Sequence, residues 1–121
     1  MKTSILIVDD ELDALDLMEE LFLKHGYETF TARNGLEAMP IIADIEPDIL
    51  ISDMVMPEMD GIKLLDMVSK KYPDIAVIMI TAHGTIETAV ETMKKGAKDY
   101  ILKPLRLDEI LAKVETISQL K

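Results

Sequence analysis

Ser4-Ile5-Leu6-Ile7-Val8 runs straight into Asp9-Asp10-Glu11. A short aliphatic run rich in β-branched side chains reads as a strand, and it ends on acidic groups. The arrangement recurs. Ile49-Leu50-Ile51-Ser52 leads into Asp53, Ile78-Met79-Ile80 into Thr81, and Tyr100-Ile101-Leu102 into Lys103-Pro104. In an open parallel sheet, ligands bind outside the carboxyl ends of the strands. Should these runs be neighbouring parallel strands, the carboxylates of Asp9, Asp10 and Asp53, the Thr81 hydroxyl and the Lys103 ammonium converge. Such a set suits a hard cation and a phosphoryl group.

Between these strands the pattern is helical. Leu12, Leu15, Met18, Leu21 and Phe22 fall at helical spacing, with Gly26 as a stop. Glu28 to Ala32 alternates as a short strand, and Gly35 to about Ile45 carries Leu36, Met39 and Ile42 on one face. Pro40 lies inside that helix and is expected to kink or shorten it, because proline deletes a backbone hydrogen bond. Met56-Pro57-Glu58-Met59-Asp60-Gly61 is turn chemistry. Leu64, Leu65 and Val68 mark the next helix, closed before Pro73. Ile75 to Ile80 is continuously apolar, as a strand covered on both faces must be. Ile86, Ala89, Val90 and Met93 form a stripe ended by Gly96, and Leu107, Ile110, Leu111, Val114 and Ile117 define a last helix.

Strand–helix alternation over this length predicts a three-layer α/β fold with a parallel sheet and right-handed crossovers. Five strands suit the flavodoxin-like order 2-1-3-4-5, whose switch point lies between the first and third strands. Those are the strands ending in Asp9-Asp10 and Asp53. No linker, repeat or low-complexity segment interrupts residues 1–121, which are expected to form a single domain.

Composition narrows the function. Aromatics are only 4 % of the chain, so base-stacking platforms are excluded as a main activity, and the net charge of −10 repels nucleic acid. The absence of cysteine excludes disulfides and thiolate metal sites and is compatible with a reducing cytoplasm. The start of the chain reads as neither a signal peptide nor a membrane span.

Val8-Asp9-Asp10-Glu11, Asp53-Met54-Val55-Met56-Pro57-Glu58-Met59-Asp60-Gly61, Thr81-Ala82 and Lys103-Pro104 together resemble the receiver domain of two-component response regulators. The resemblance covers the whole chain. Ala82-His83-Gly84-Thr85 and the stretch Met93 to Tyr100 are similar to receivers of the bacterial enhancer-binding transcription activators. It implies a phosphorylation-activated signalling switch. A sensor histidine kinase would be the donor, and an output domain or partner protein the recipient of the signal. Activation-linked homodimerisation is frequent in that class. A receiver catalyses its own phosphotransfer and autodephosphorylation without being a metabolic enzyme.

The chemistry assigns roles. Asp53 is the candidate nucleophile, forming an aspartyl phosphate. Two anions must meet, so Asp9 and Asp10 are expected to hold Mg²⁺ beside Asp53, since Mg²⁺ takes oxygen ligands. The Val55 backbone carbonyl is a further ligand by resemblance, and the Lys103-Pro104 bond is cis by resemblance. Lys103 and Thr81 would stabilise the charge on the transferring group. By resemblance, Thr81 and Tyr100 form a coupled switch that remodels residues 84–120. Val55 and His83, each two residues beyond a site residue, stand where receivers tune the lifetime of the phosphoryl group.

Other readings stand beside these. Asp9-Asp10 can cap the following helix. His25 can interact with a helix dipole. A haloacid-dehalogenase-type phosphohydrolase usually carries a second Asp two residues beyond the nucleophile, where this chain has Val55. A flavin module would place a phosphate loop where Asp9-Asp10-Glu11 stands, and a docking-only pseudo-receiver would not need the full set of polar groups.

Overall fold

The computed structural model describes residues 2–54, 61–82 and 84–119. The aliphatic runs become β1 (Ser4–Val8), β3 (Ile49–Asp53) and β4 (Ala76–Thr81), with shorter edge strands β2 (Glu28–Ala32) and β5 (Asp99–Leu102). The helices between them are α1 (Leu12–Lys24), α2 (Gly35–Ile45), α3 (Gly61–Lys71), α4 (Ile86–Lys94) and α5 (Leu107–Gln119). All pairings are parallel, and the order is β2-β1-β3-β4-β5, as expected from the sequence.

Alternating side chains of the central strands feed two cores. Ile5, Ile7, Ile49, Ile51, Ile78 and Ile80 pack with Leu15, Met18 and Phe22 of α1 and with Ile110 and Val114 of α5. Leu6, Leu50, Val77 and Met79 pack with Ala38 and Ile42 of α2 and with Leu64, Leu65 and Val68 of α3. A sheet buried on both faces needs strands without polar alternation: β1 is apolar after Ser4, and β3 and β4 are apolar up to Ser52 and Thr81.

Four details depart from the periodicity. Leu12 and Leu36 lie on exposed faces, and α2 buries Gly35, Ala38 and Ile42. Pro40 does not shorten α2, which runs unbroken through it. The amide it lacks would have bonded the Leu36 carbonyl, and both residues are exposed, so water can solvate that carbonyl. The apolar stripe of α4 is not covered: Ile86 is 85 % exposed, Val90 47 % and Met93 46 %, and Thr92 is its buried residue. Thr92 satisfies its hydroxyl by donating to the Thr88 carbonyl at 2.7 Å. Lastly, neither Asp9 nor Asp10 caps α1. The N-cap is Glu11, whose side chain makes no capping hydrogen bond. The expected dipole contact of His25 does form, with its ring Nδ1 2.9 Å from the Leu21 carbonyl in the last turn of α1.

Candidate functional site

Strand register builds the site. Val8 lies opposite Ser52, so Asp9 follows on from β1 beside Asp53 at the end of β3. Asp53 pairs with Ile80, which puts Thr81 one step further along β4, and Thr81 pairs with Leu102, which puts Lys103 just beyond β5. Four strand ends thus deliver an acidic pair, a carboxylate, a hydroxyl and an ammonium to one edge. The main chain is tied there: the Asp9 amide donates to Ala32 O at 3.1 Å, the Met54 amide to Ile80 O at 2.8 Å, and the Lys103 amide to Thr81 O at 2.8 Å. The Lys103–Pro104 bond is cis.

Gly61 closes the far side. Its amide donates to Met54 O at 2.8 Å. A Cβ there would collide with the Asp53 carbonyl oxygen and stand 2.8 Å from Met54 Cα. The sequence suggested a turn glycine; the structure requires glycine so that α3 can begin against the backbone of Asp53.

Asp9, Asp53 and Thr81 are buried, whereas Asp10 is exposed. Carboxylate oxygens of Asp9, Asp10 and Asp53 lie within 4.8 Å of one another. Asp9 Oδ1 accepts from the Glu11 amide at 2.9 Å, but its Oδ2 is buried and accepts no hydrogen bond. Burial raises the Asp9 pKa from 3.8 to about 6; the Asp53 charge adds to this, against the Glu11 amide and the Lys103 ammonium. A buried oxygen that accepts no hydrogen bond, inside a trio of carboxylates, is costly, and the Lys103 ammonium 3.5 Å away is shared with Asp53 and Glu11, so a further cation would complete the cluster. The donors are all hard oxygens, so the cluster fits a divalent cation of that class.

Lys103 balances the site. Its ammonium stands 3.1 Å from Asp53 Oδ2, 3.5 Å from Asp9 Oδ2 and 2.6 Å from Glu11 Oε1. Burial would lower its pKa, but the hydrogen bonds to Glu11 and Asp53 and the charges of Asp9 and Asp53 outweigh that and hold it above its ordinary value. The Glu11 contact was not foreseen in the sequence; its only signal was a third acid after the strand.

Tyr100 is half-buried beside the α2/α3 core, and its hydroxyl lies 3.3 Å from Thr88 Oγ1 on α4. Thr88 belongs to a capping box with Thr85 at the start of α4. Val55 and His83, and with them the Val55 carbonyl and the two lifetime positions, lie outside the described residues.

Comparison with known proteins agrees with this geometry. Residues 5–115 match the response regulator receiver domain family. The chain is 44 % identical over 117 residues to the regulatory protein AtoC of Escherichia coli K12, covering 97 % of this chain but 25 % of AtoC. It is 40 % identical over 121 residues to sporulation initiation phosphotransferase F of Bacillus subtilis 168, covering 100 % of this chain and 98 % of that protein. The crystal structure of the receiver domain of NtrX from Brucella abortus superposes with a TM-score of 0.90 at 37 % identity, over 97 % of this chain and 99 % of that one. This chain belongs to the receiver domains of two-component response regulators, phosphorylation-activated signalling switches, and within them it is similar to those of the AtoC, NtrC and NtrX class.

Proposed function

We propose that Asp53 is the phosphoacceptor of this receiver, loaded by a sensor histidine kinase in a reaction that needs Mg²⁺. The observation that carries the reading is Asp53 buried at a strand end, with Lys103 Nζ 3.1 Å from Oδ2 and the orphaned Asp9 Oδ2 beside it. Asp9, Asp10 and Asp53 would hold Mg²⁺, with the Val55 carbonyl as a further ligand. Bound there, Mg²⁺ supplies the positive charge that lets a carboxylate and a phosphoryl group meet.

An Asp53 carboxylate oxygen attacks phosphorus. The P–N bond to the donor histidine breaks, and the departing imidazole nitrogen keeps the electron pair. Lys103 neutralises charge on the phosphoryl oxygens, and the Thr81 hydroxyl donates to one of them. The aspartyl phosphate is later hydrolysed at the same site, so the chain catalyses its own phosphotransfer and dephosphorylation and is not a metabolic enzyme.

The switch reading adds Thr81 and Tyr100. Movement of Thr81 toward the phosphoryl group opens room for Tyr100, whose hydroxyl now lies 3.3 Å from Thr88 Oγ1. The two side chains bias two arrangements of residues 84–120. The output would be a further domain or a partner protein, in a cytoplasmic transcription regulator resembling AtoC, with homodimerisation on activation. Residues 1–121 would be its single receiver domain, and this domain would bind neither DNA nor membrane; no helix among the described residues is long and apolar enough to cross a bilayer.

Intact mass after incubation with acetyl phosphate and Mg²⁺ tests the acceptor. One added phosphoryl group, absent in Asp53→Asn and absent without Mg²⁺, is the expected result. An equal mass gain in Asp53→Asn would overturn the assignment. Amide exchange across residues 84–120 tests the switch, and identical protection with and without phosphorylation would sink it.

A further inference from the structure

Glu11 touches the site through Lys103, yet the phosphoryl chemistry leaves it without a role. Among the described residues it makes the shortest contact of Lys103, 2.6 Å from Nζ to Oε1, between residues 92 apart in the chain. That contact is not a by-product of capping, since the Glu11 side chain makes no capping hydrogen bond to α1.

The partners of Lys103 differ in exposure. The Asp9 and Asp53 side chains are 1 % and 8 % exposed and are fixed by the sheet, whereas the Glu11 side chain is 64 % exposed. The Lys103 side chain is itself only 14 % exposed, and its amide is bonded to Thr81 O, so it has little room to move. An ammonium has three protons to donate. Hydrogen bonds to Glu11 and Asp53 take two of them, and the anionic oxygens of a phosphoryl group arriving at Asp53 compete for the ammonium with Glu11, the partner that can withdraw into solvent. Two anions competing for one buried cation also repel each other.

We propose that Glu11 is a positioning residue that holds the Lys103 ammonium in its resting place and competes for it with the phosphoryl group arriving at Asp53. This rests on the reading of Asp53 as the phosphoacceptor. Glu11 is thereby a brake on phosphorylation rather than a part of the reacting set. The brake has the strength of an ion pair open to water on one side.

The test compares the 121-residue chain with Glu11→Gln at saturating Mg²⁺. Loading by acetyl phosphate is followed by intact mass: the Asp53 oxygen takes the phosphoryl group, the P–O bond to acetate breaks, and acetate leaves with the electron pair. Glu11→Gln is expected to load about two- to fivefold faster, the factor equivalent to an exposed ion pair. The acceleration is expected to vanish when Lys103→Met is present in both proteins. An unchanged or slower rate in Glu11→Gln, or acceleration that persists without Lys103, overturns the proposal. A second readout needs neither metal nor phosphoryl donor. The ¹⁵Nζ signal of Lys103, assigned by its loss in Lys103→Met, is expected to shift and exchange faster in metal-free Glu11→Gln; an unaltered signal also overturns it. Failure of the wild type to load at all overturns the phosphoacceptor reading and this one together, whereas normal wild-type loading with no effect of Glu11→Gln overturns this one alone.

Discussion

Replacing Asp9 by Asn is expected to stabilise the metal-free protein at neutral pH. Asp9 is buried, its Oδ2 accepts no hydrogen bond, and burial lifts its pKa from 3.8 to about 6. The folded protein thus holds this proton more tightly than the unfolded chain. Between about pH 4 and pH 6 the native state binds more protons, so the contribution of Asp9 to stability falls as pH rises and is least favourable above pH 6. Lifting this carboxyl from 3.8 to about 6 corresponds to about 3 kcal/mol against folding at pH 7. Asparagine keeps the oxygen that accepts from the Glu11 amide and has no proton to lose. Urea unfolding in EDTA should show Asp9→Asn more stable by up to about 3 kcal/mol near pH 7.5, shrinking to under about 1 kcal/mol near pH 4. Mg²⁺ at about a hundred times its Kd should then stabilise the wild type by about 2.7 kcal/mol and the variant far less. A gain of equal size at both pH values, or a loss near pH 7.5, would refute the argument from burial.

Other expectations follow from packing. Gly61→Ala forces a methyl against the Asp53 carbonyl and should cost about 1–3 kcal/mol in urea unfolding while slowing acceptor chemistry, because relief must come from the Asp53 backbone. Ile42→Ala should cost about 2–5 kcal/mol, whereas Leu36→Ala on the exposed face of the same helix should change stability by under about 0.5 kcal/mol. Comparable losses would show that α2 packs differently. Thr85→Ala removes the acceptor of the Thr88 amide and should cost about 1 kcal/mol, seen first as faster amide exchange in the opening turn of α4.

The exposed stripe on α4 shows where periodicity stops being informative. Ile86, Val90 and Met93 carry the spacing of a buried face, yet all three stand open to solvent. Periodicity reports that apolar residues share a side; it says nothing of what covers that side. Leu12 and Leu36 misled for the same reason. The shortening expected of Pro40 fails for a different reason: its cost depends on whether the carbonyl it strands can reach water, and in α2 that face is open.

What the sequence determined by itself was local or periodic: which runs are strands, where helices alternate with them, and which residue types end each strand. Together with the handedness of crossovers and the switch-point rule, these led to the strand order and to Asp9, Asp10, Asp53, Thr81 and Lys103 as one group. The tertiary structure alone decided the contacts between distant segments. It orphaned Asp9 Oδ2 in the interior, demanded glycine at position 61 for lack of space, seated the Tyr100 hydroxyl against Thr88, and brought Glu11 onto Lys103 across 92 residues. Each of these depends on the distance between atoms on different elements, a quantity set by how the layers pack and carried by no single stretch of chain.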